Sequence, residues 1–297
     1  MHKVQLNSLE LELELSLKSP LLIKSGGISP NPSLPDMQFV RTLRSGKGEV
    51  IYIPGSSLKG VVRSYVEKVL RTVGESLGKE TLNWACNLFE KDKTCVSKTK
   101  DEAKTSEIYK NTCRACKIFG NTKLKGRISI LDAYPNSEIK TEIRHGVAIS
   151  RMTHAVAQGP FDMEVAVEGS FKTKFILTNF EAWNVGLLAL ALRDINEGIV
   201  KVGFGKNRGF GEVGAKIEKA TFIFAGDTPK KDIWGVGKMS LQENVSGYGF
   251  NKNDLFQVSV DPSEESKDIL GIKRAYDSKC WKSIGESSIA YLKEALN

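Results

Sequence analysis

Leu9-Glu-Leu-Glu-Leu-Glu-Leu-Ser-Leu17 sets leucine at every odd position and a polar residue at every even one. A period of two is the signature of a strand with one face buried and the other wet. Downstream, residues 19–44 lose that period and collect Ser, Gly, Pro and Asn, so they are expected to form a long loop. Glu49 to Ile53 reads as a short strand stopped by Pro54 and Gly55. Leu58, Val61, Val62, Tyr65, Val66, Val69, Leu70 and Val73 then fall on one helical face, with Ser56 or Ser57 placed to cap its first turn. Further on, Arg127 to Tyr134 and Val165 to Thr178 read as strands, Phe180 to Asn196 as a helix and Phe210 to Phe224 as a final long strand. This alternation predicts an α+β protein with a ferredoxin-like (RRM-like) core.

Two stretches elaborate the core. Residues 74–126 are rich in Lys, Asp and Thr and poor in apolar residues, yet hold four of the five cysteines. Such a lobe needs a staple. After Gly226 the pattern weakens, apart from a terminal helix expected over Ser287 to Leu296. The expected organisation is therefore a core over 1–73 and 127–226, a protruding hairpin near 144–165, an inserted lobe over 74–126 and an extension over 227–297.

The 297 residues, 40% of them hydrophobic, suffice for a substantial core. The longest apolar run, Val185 to Leu192, is too short to span a bilayer, and the N-terminus lacks a basic and then apolar leader. A cytoplasmic protein with no membrane partner is expected. A net charge of +8 favours polyanionic partners. Between Val40 and Thr72, Arg41, Arg44, Lys47, Lys59, Arg63, Lys68 and Arg71 face only Glu49 and Glu67, which points to a nucleic-acid face.

Four motifs carry chemistry. Cys86, Cys95, Cys113 and Cys116 have the spacing C-x8-C-x17-C-x2-C, and four thiolates can enclose a tetrahedral structural zinc ion; two disulfides or unpaired buried thiols stay open beside it. Pro54-Gly-Ser-Ser-Leu-Lys-Gly-Val-Val-Arg63 brings hydroxyls and free amides to a helix start, with Lys59 and Arg63 one turn apart opposite the apolar stripe. Gly203-Phe-Gly-Lys-Asn-Arg-Gly-Phe-Gly211 lets backbone approach phosphate, with Lys206 and Arg208 the stronger contacts and both phenylalanines as easily core. His145 and His154 have no convergent partner in the sequence and are expected to be exposed polar residues. Asp36, after Pro35, has the spacing of a plain turn residue.

In this order, Ser19-Pro-Leu-Leu-Ile-Lys-Ser-Gly-Gly27, Pro35-Asp-Met-Gln-Phe-Val-Arg41, Ile53-Pro-Gly-Ser-Ser-Leu-Lys-Gly60, Gly146-Val-Ala-Ile-Ser-Arg151 and Gly203 to Gly211 resemble the repeat-associated mysterious protein (RAMP) superfamily. They resemble in particular the repeating backbone subunits (Csm- and Cmr-like) of type III CRISPR interference complexes. The resemblance implies that CRISPR RNA is gripped by Lys24, Ser25, Arg41, Ser56, Ser57, Lys59, Arg63, Lys206 and Arg208. It implies that a hairpin thumb carrying Arg151 and Met152 disturbs the duplex of guide and target RNA. Further subunits of the complex, including more copies or paralogues of the backbone subunit, would be partners. Asp36 matches the loop aspartate that, with magnesium or another divalent cation, cuts target RNA. Two other functions stay open: a scaffold that binds guide RNA without cutting, and a repeat-RNA processing nuclease of the same superfamily that would use a histidine.

Overall fold

The computed structural model describes residues 3–26, 33–100, 102–240 and 246–296. Strand β1 (Asn7–Leu17) buries Leu9, Leu11, Leu13 and Leu15 and leaves Glu10, Glu12 and Glu14 at least partly in solvent, as its period requires. A hairpin of β2 (Arg41–Arg44) and β3 (Gly48–Ile51) leads into α1 (Gly55–Ser76), which buries Leu58, Val62, Val66 and Leu70 at helical spacing. The cysteine-bearing stretch holds the short helices α2 (Thr105–Asn111) and α3 (Arg114–Phe119). Next come β4 (Ile128–Ile130), β5 (Tyr134–Pro135), the long hairpin of β6 (Lys140–Ile149) and β7 (Val156–Glu168), then β8 (Ser170–Thr178), α4 (Ala182–Asn196) and β9 (Val213–Phe224). The chain finishes with β10 (Asp232–Trp234), α5 (Val236–Met239), β11 (Leu255–Gln257), β12 (Glu264–Asp268), β13 (Gly271–Asp277) and α6 (Ser278–Leu296).

The main sheet runs β12-β13-β9-β1-β8-β4, with β5 also on β8, and every neighbour pair is antiparallel. Its inner part, β9-β1-β8-β4 with α1 and α4 between the strands in sequence, is the expected ferredoxin-like plan. The apolar side chains of these strands join those of α1, α4 and α6 in one core, where Phe222 packs against Phe180, Phe224 and Tyr276. The outer faces of the strands are ionic: Lys174 reaches Glu10 and Glu12 at 3.2 Å each, Lys172 reaches Glu218 at 2.9 Å, and Lys219 reaches Glu264 at 2.8 Å. Opposite charges sit directly across the register at Glu12 and Lys174 and at Glu14 and Lys172, so sheet pairing and charge pairing reinforce each other.

Several elements depart from expectation. Val165 to Thr178 is two strands, because the chain turns at Gly169: residues to Glu168 finish the thumb and Ser170 starts β8. Arg127 to Tyr134 likewise divides into β4 and β5, and the terminal helix begins nine residues early, at Ser278. The stretch over 19–44, expected to be one loop, ends in β2, and its earlier part, of which residues 27–32 lie outside the described residues, is pinned by isolated bridges from Leu21 to Ala166, Lys24 to Phe39 and Met37 to Met163. Residues after 226 add β13 and β12 to the edge of the sheet beyond β9, and α6 packs on α4. At that crossing a Cβ on Gly186 would lie 2.4 Å from the carbonyl oxygen of Ser288, so the two helices approach as closely as they do only because residue 186 has no side chain. Among the described residues no helix is long and apolar enough to cross a membrane.

Candidate nucleic-acid interface

A groove of about 860 Å³ runs between α1 and the glycine-rich loop before β9. Ser57, Gly60, Ser64, Lys68 and Arg71 line one wall, and Lys201, Gly203, Phe204 and Lys206 line the other, with Lys24 beside them. The helical wall follows from spacing: positions 57, 60, 64, 68 and 71 repeat at three and four residues and so share one face. Small residues at its start keep the groove open. Gly203 closes the opposite wall with φ +83°, and a Cβ there would lie 2.4 Å from the Leu22 carbonyl oxygen, so only glycine lets the loop sit this close to the segment bearing Lys24. Lys206 and Arg208 stand exposed on a single 3-10 turn, Lys206–Arg208, between Gly205 and Gly209. Among the described residues five cationic side chains and no acidic one line this groove. Such a surface holds a phosphate backbone by charge, without reading bases.

The sequence-expected RNA residues divide. Lys24, Ser57 and Lys206 meet in the groove. Ser56 is exposed at the start of α1, and neither serine caps it: the Gly55 amide donates instead to Asp132 Oδ1 at 2.8 Å, a partner 77 residues away that local spacing cannot reveal. Lys59 and Arg63 do lie one turn apart, but both are half-buried and already bonded, Lys59 against β4 and Arg63 against the inserted lobe. Lys59 Nζ donates to the Ile128 carbonyl at 3.2 Å, and burial, then the neighbouring Arg63, push its ammonium below its usual pKa. Arg63 donates to Glu67 at 2.8 Å and to the Gly120 carbonyl at 3.3 Å, with a nitrogen 3.6 Å from Cys116 Sγ. Arg41 is ion-paired with Glu164, and the half-buried Ser25 donates its amide to the Gln38 carbonyl at 3.0 Å. Lys68, Arg71 and Lys201 escaped motif reading; the helical wheel through Ser57 would have found the first two.

Arg151 and Met152 lie at the exposed tip of the β6–β7 thumb, Met152 with 92% of its surface in solvent. His154 shares that tip. Asp36 lies away from the tip, exposed, where its Oδ2 accepts the amide of Asp162, midway along the hairpin, at 2.9 Å. His145, expected to lack a partner, faces Asp162 across the hairpin with Nδ1 2.7 Å from Oδ1.

Cys86, Cys95, Cys113 and Cys116 are buried together, their sulfurs within 4.8 Å of one another. None of the four is in a disulfide. The Cys86 and Cys116 sulfurs are 3.7 Å apart. Bonds of ~2.3 Å to a central tetrahedral ion place sulfurs about 3.8 Å apart. Backbone amides of Cys86 and Cys116 point at Cys113 Sγ at 3.4 Å, and that of Cys113 points at Cys95 Sγ at 3.2 Å. Within the cluster, sulfur hydrogen bonds hold the Cys86 and Cys113 thiols below their ordinary pKa and push those of Cys95 and Cys116 above it, so without a cation the four share protons among themselves. The donor set fits a metal ion such as zinc. The lobe itself shares the main core, since Trp84, Ala85, Ala115, Ile118 and Phe119 pack into it along with the cysteines.

Among curated proteins no match is found. The family model for the RAMP superfamily matches residues 14–213, which takes in the end of β1, the thumb, Asp36, the cysteine cluster and both walls of the groove. The chain belongs to the RAMP superfamily.

Proposed function

We propose that the protein is a backbone subunit of a type III CRISPR interference complex, working in the cytoplasm, that holds CRISPR RNA in the basic groove and cuts the paired target RNA beside Asp36. The observation that carries this reading is the groove of Lys24, Lys68, Lys201 and Lys206, with Arg71 at its edge held by Glu67 and the Cys86 carbonyl. Membership of the RAMP superfamily supports it. The four cysteines would hold a structural zinc ion that ties the inserted lobe to α1. Asp36 would hold a divalent cation such as magnesium, which when bound supplies positive charge beside the scissile phosphate. The thumb, exposed along most of its length, would splay the target so that one phosphate lies beside Asp36.

One observation favours a non-cutting scaffold instead: Asp36 already accepts the Asp162 amide, a bond that would equally serve to lock the turn. The complex is incubated with guide RNA, matched target RNA and magnesium. Target is expected to be cut at regular intervals, and Asp36→Ala to slow cutting by roughly 10²-fold or more while guide and target binding stay nearly intact. Wild-type cutting by Asp36→Ala would return the chain to the scaffold reading.

A further inference from the structure

The middle of the β6–β7 hairpin holds a second pair of chemically active side chains. His145 of β6 and Asp162 of β7 are direct partners in the hairpin register, and Nδ1 lies 2.7 Å from Oδ1. The amide of the same Asp162 donates to Asp36 Oδ2 at 2.9 Å, so one residue touches both Asp36 and His145. Around them, Arg41 is paired with Glu164 and Arg144 with Glu142 at 2.6 Å, which leaves the Asp162 carboxylate to the imidazole. An ionised carboxylate only accepts, so the neutral ring carries its proton on Nδ1 and keeps a lone pair on Nε2. The imidazole side chain is 72% exposed, open to anything that lies against the thumb.

We propose that His145 is the general base for target RNA cleavage and that Asp162 positions it, a proposal that rests on the cutting function proposed above. Nε2 takes the proton of a 2′-hydroxyl, and the 2′-oxygen forms a bond to the adjacent phosphorus. The bond from that phosphorus to the 5′-oxygen breaks, and the leaving oxygen takes a proton from water. The products are a 2′,3′-cyclic phosphate and a 5′-hydroxyl, and the imidazolium returns its proton to solvent. No oxidant or reductant enters. A cross-strand His–Asp pair that only braced the hairpin would contribute little to stability and nothing to the chemical step.

Single-turnover cleavage by the assembled complex, with saturating matched target and magnesium, separates these roles. His145→Gln is expected to slow cleavage by ~10²- to 10⁴-fold with target affinity unchanged. Free imidazole should restore part of the rate to His145→Ala, and Asp162→Asn should show a smaller loss than either. Wild-type cleavage by His145→Gln overturns the proposal, and so does a loss that imidazole does not relieve, which would assign the pair to bracing the thumb. If Asp36→Ala is inactive while His145→Gln cuts normally, only the role of His145 fails. Wild-type cutting by both variants would remove the cleavage function itself.

Discussion

Two residue pairs, one on α1 and one across the groove, show how far charge alone is from function. Lys59 and Arg63 look like phosphate ligands in a motif, yet one is bonded to a strand carbonyl and the other is wedged against Cys116. Lys68 and Lys201, in no motif, line the open groove. Each phosphate contact on a single strand contributes about −0.7 to the slope of log affinity against log salt. Lys68→Ala, Lys201→Ala and Lys206→Ala should therefore each flatten that slope by ~0.7 in filter-binding titrations with guide RNA, whereas Lys59→Ala should leave it unchanged. The candidate site was half legible. Local motifs found Ser57 and Lys206, because glycine, serine and lysine in short order mark exposed backbone, and the family resemblance supplied Lys24. They missed the rest because the groove is made by juxtaposing α1 with a loop some 140 residues further along, and the partner that makes His145 more than a surface residue is 17 residues away across a hairpin.

Among the elements, β1 and α1 were plain in the sequence because their apolar residues recur at the period of their own geometry. Edge strand β12 was invisible: Glu264, Glu265, Ser266, Lys267 and Asp268 are all exposed, so burial imposes no period on them. The inserted lobe is the other case. Its helices α2 and α3, seven and six residues long, are too short to be stable alone, and the cysteines joining them were legible only as a spacing. A structural zinc ion contributes ~10 kcal/mol or more of binding free energy in zinc-finger peptides. Elemental analysis is expected to find one zinc per chain. Chelation, or Cys113→Ser, should strip hydrogen-exchange protection from residues 84–119 before it touches the sheet. A metal-free protein with four freely reactive thiols would contradict this.

Across the whole molecule, the residues after 226 complete the fold that β1 begins. Asp254 ties them in: its carboxylate accepts the amides of Ala182, at the start of α4, and Gly237, in α5. Burial, then the nearby Glu181, raises its pKa to about 7. A carboxyl group with a higher pKa folded than unfolded binds its proton preferentially in the native state. Its contribution to stability is full below the ordinary carboxylate range, is lost as pH rises toward about 7, and changes no further above that. In thermal melts from pH 4 to 8, wild type is expected to lose stability over that interval relative to Asp254→Asn, whose own curve should be flatter. Parallel curves would place the titrating group elsewhere.

The ionic ladder on the outer face of the sheet bears on how the protein can be prepared. Exposed pairs such as Lys172 with Glu218 and Lys219 with Glu264 contribute little to stability and fade further at 1 M salt, where screening acts within ~3 Å. The core beneath them is apolar and indifferent to such salt. A wash strong enough to strip adhering nucleic acid from the groove therefore leaves the fold standing, and the naked chain can be recovered, weighed for metal and reloaded with an RNA of the experimenter's choosing.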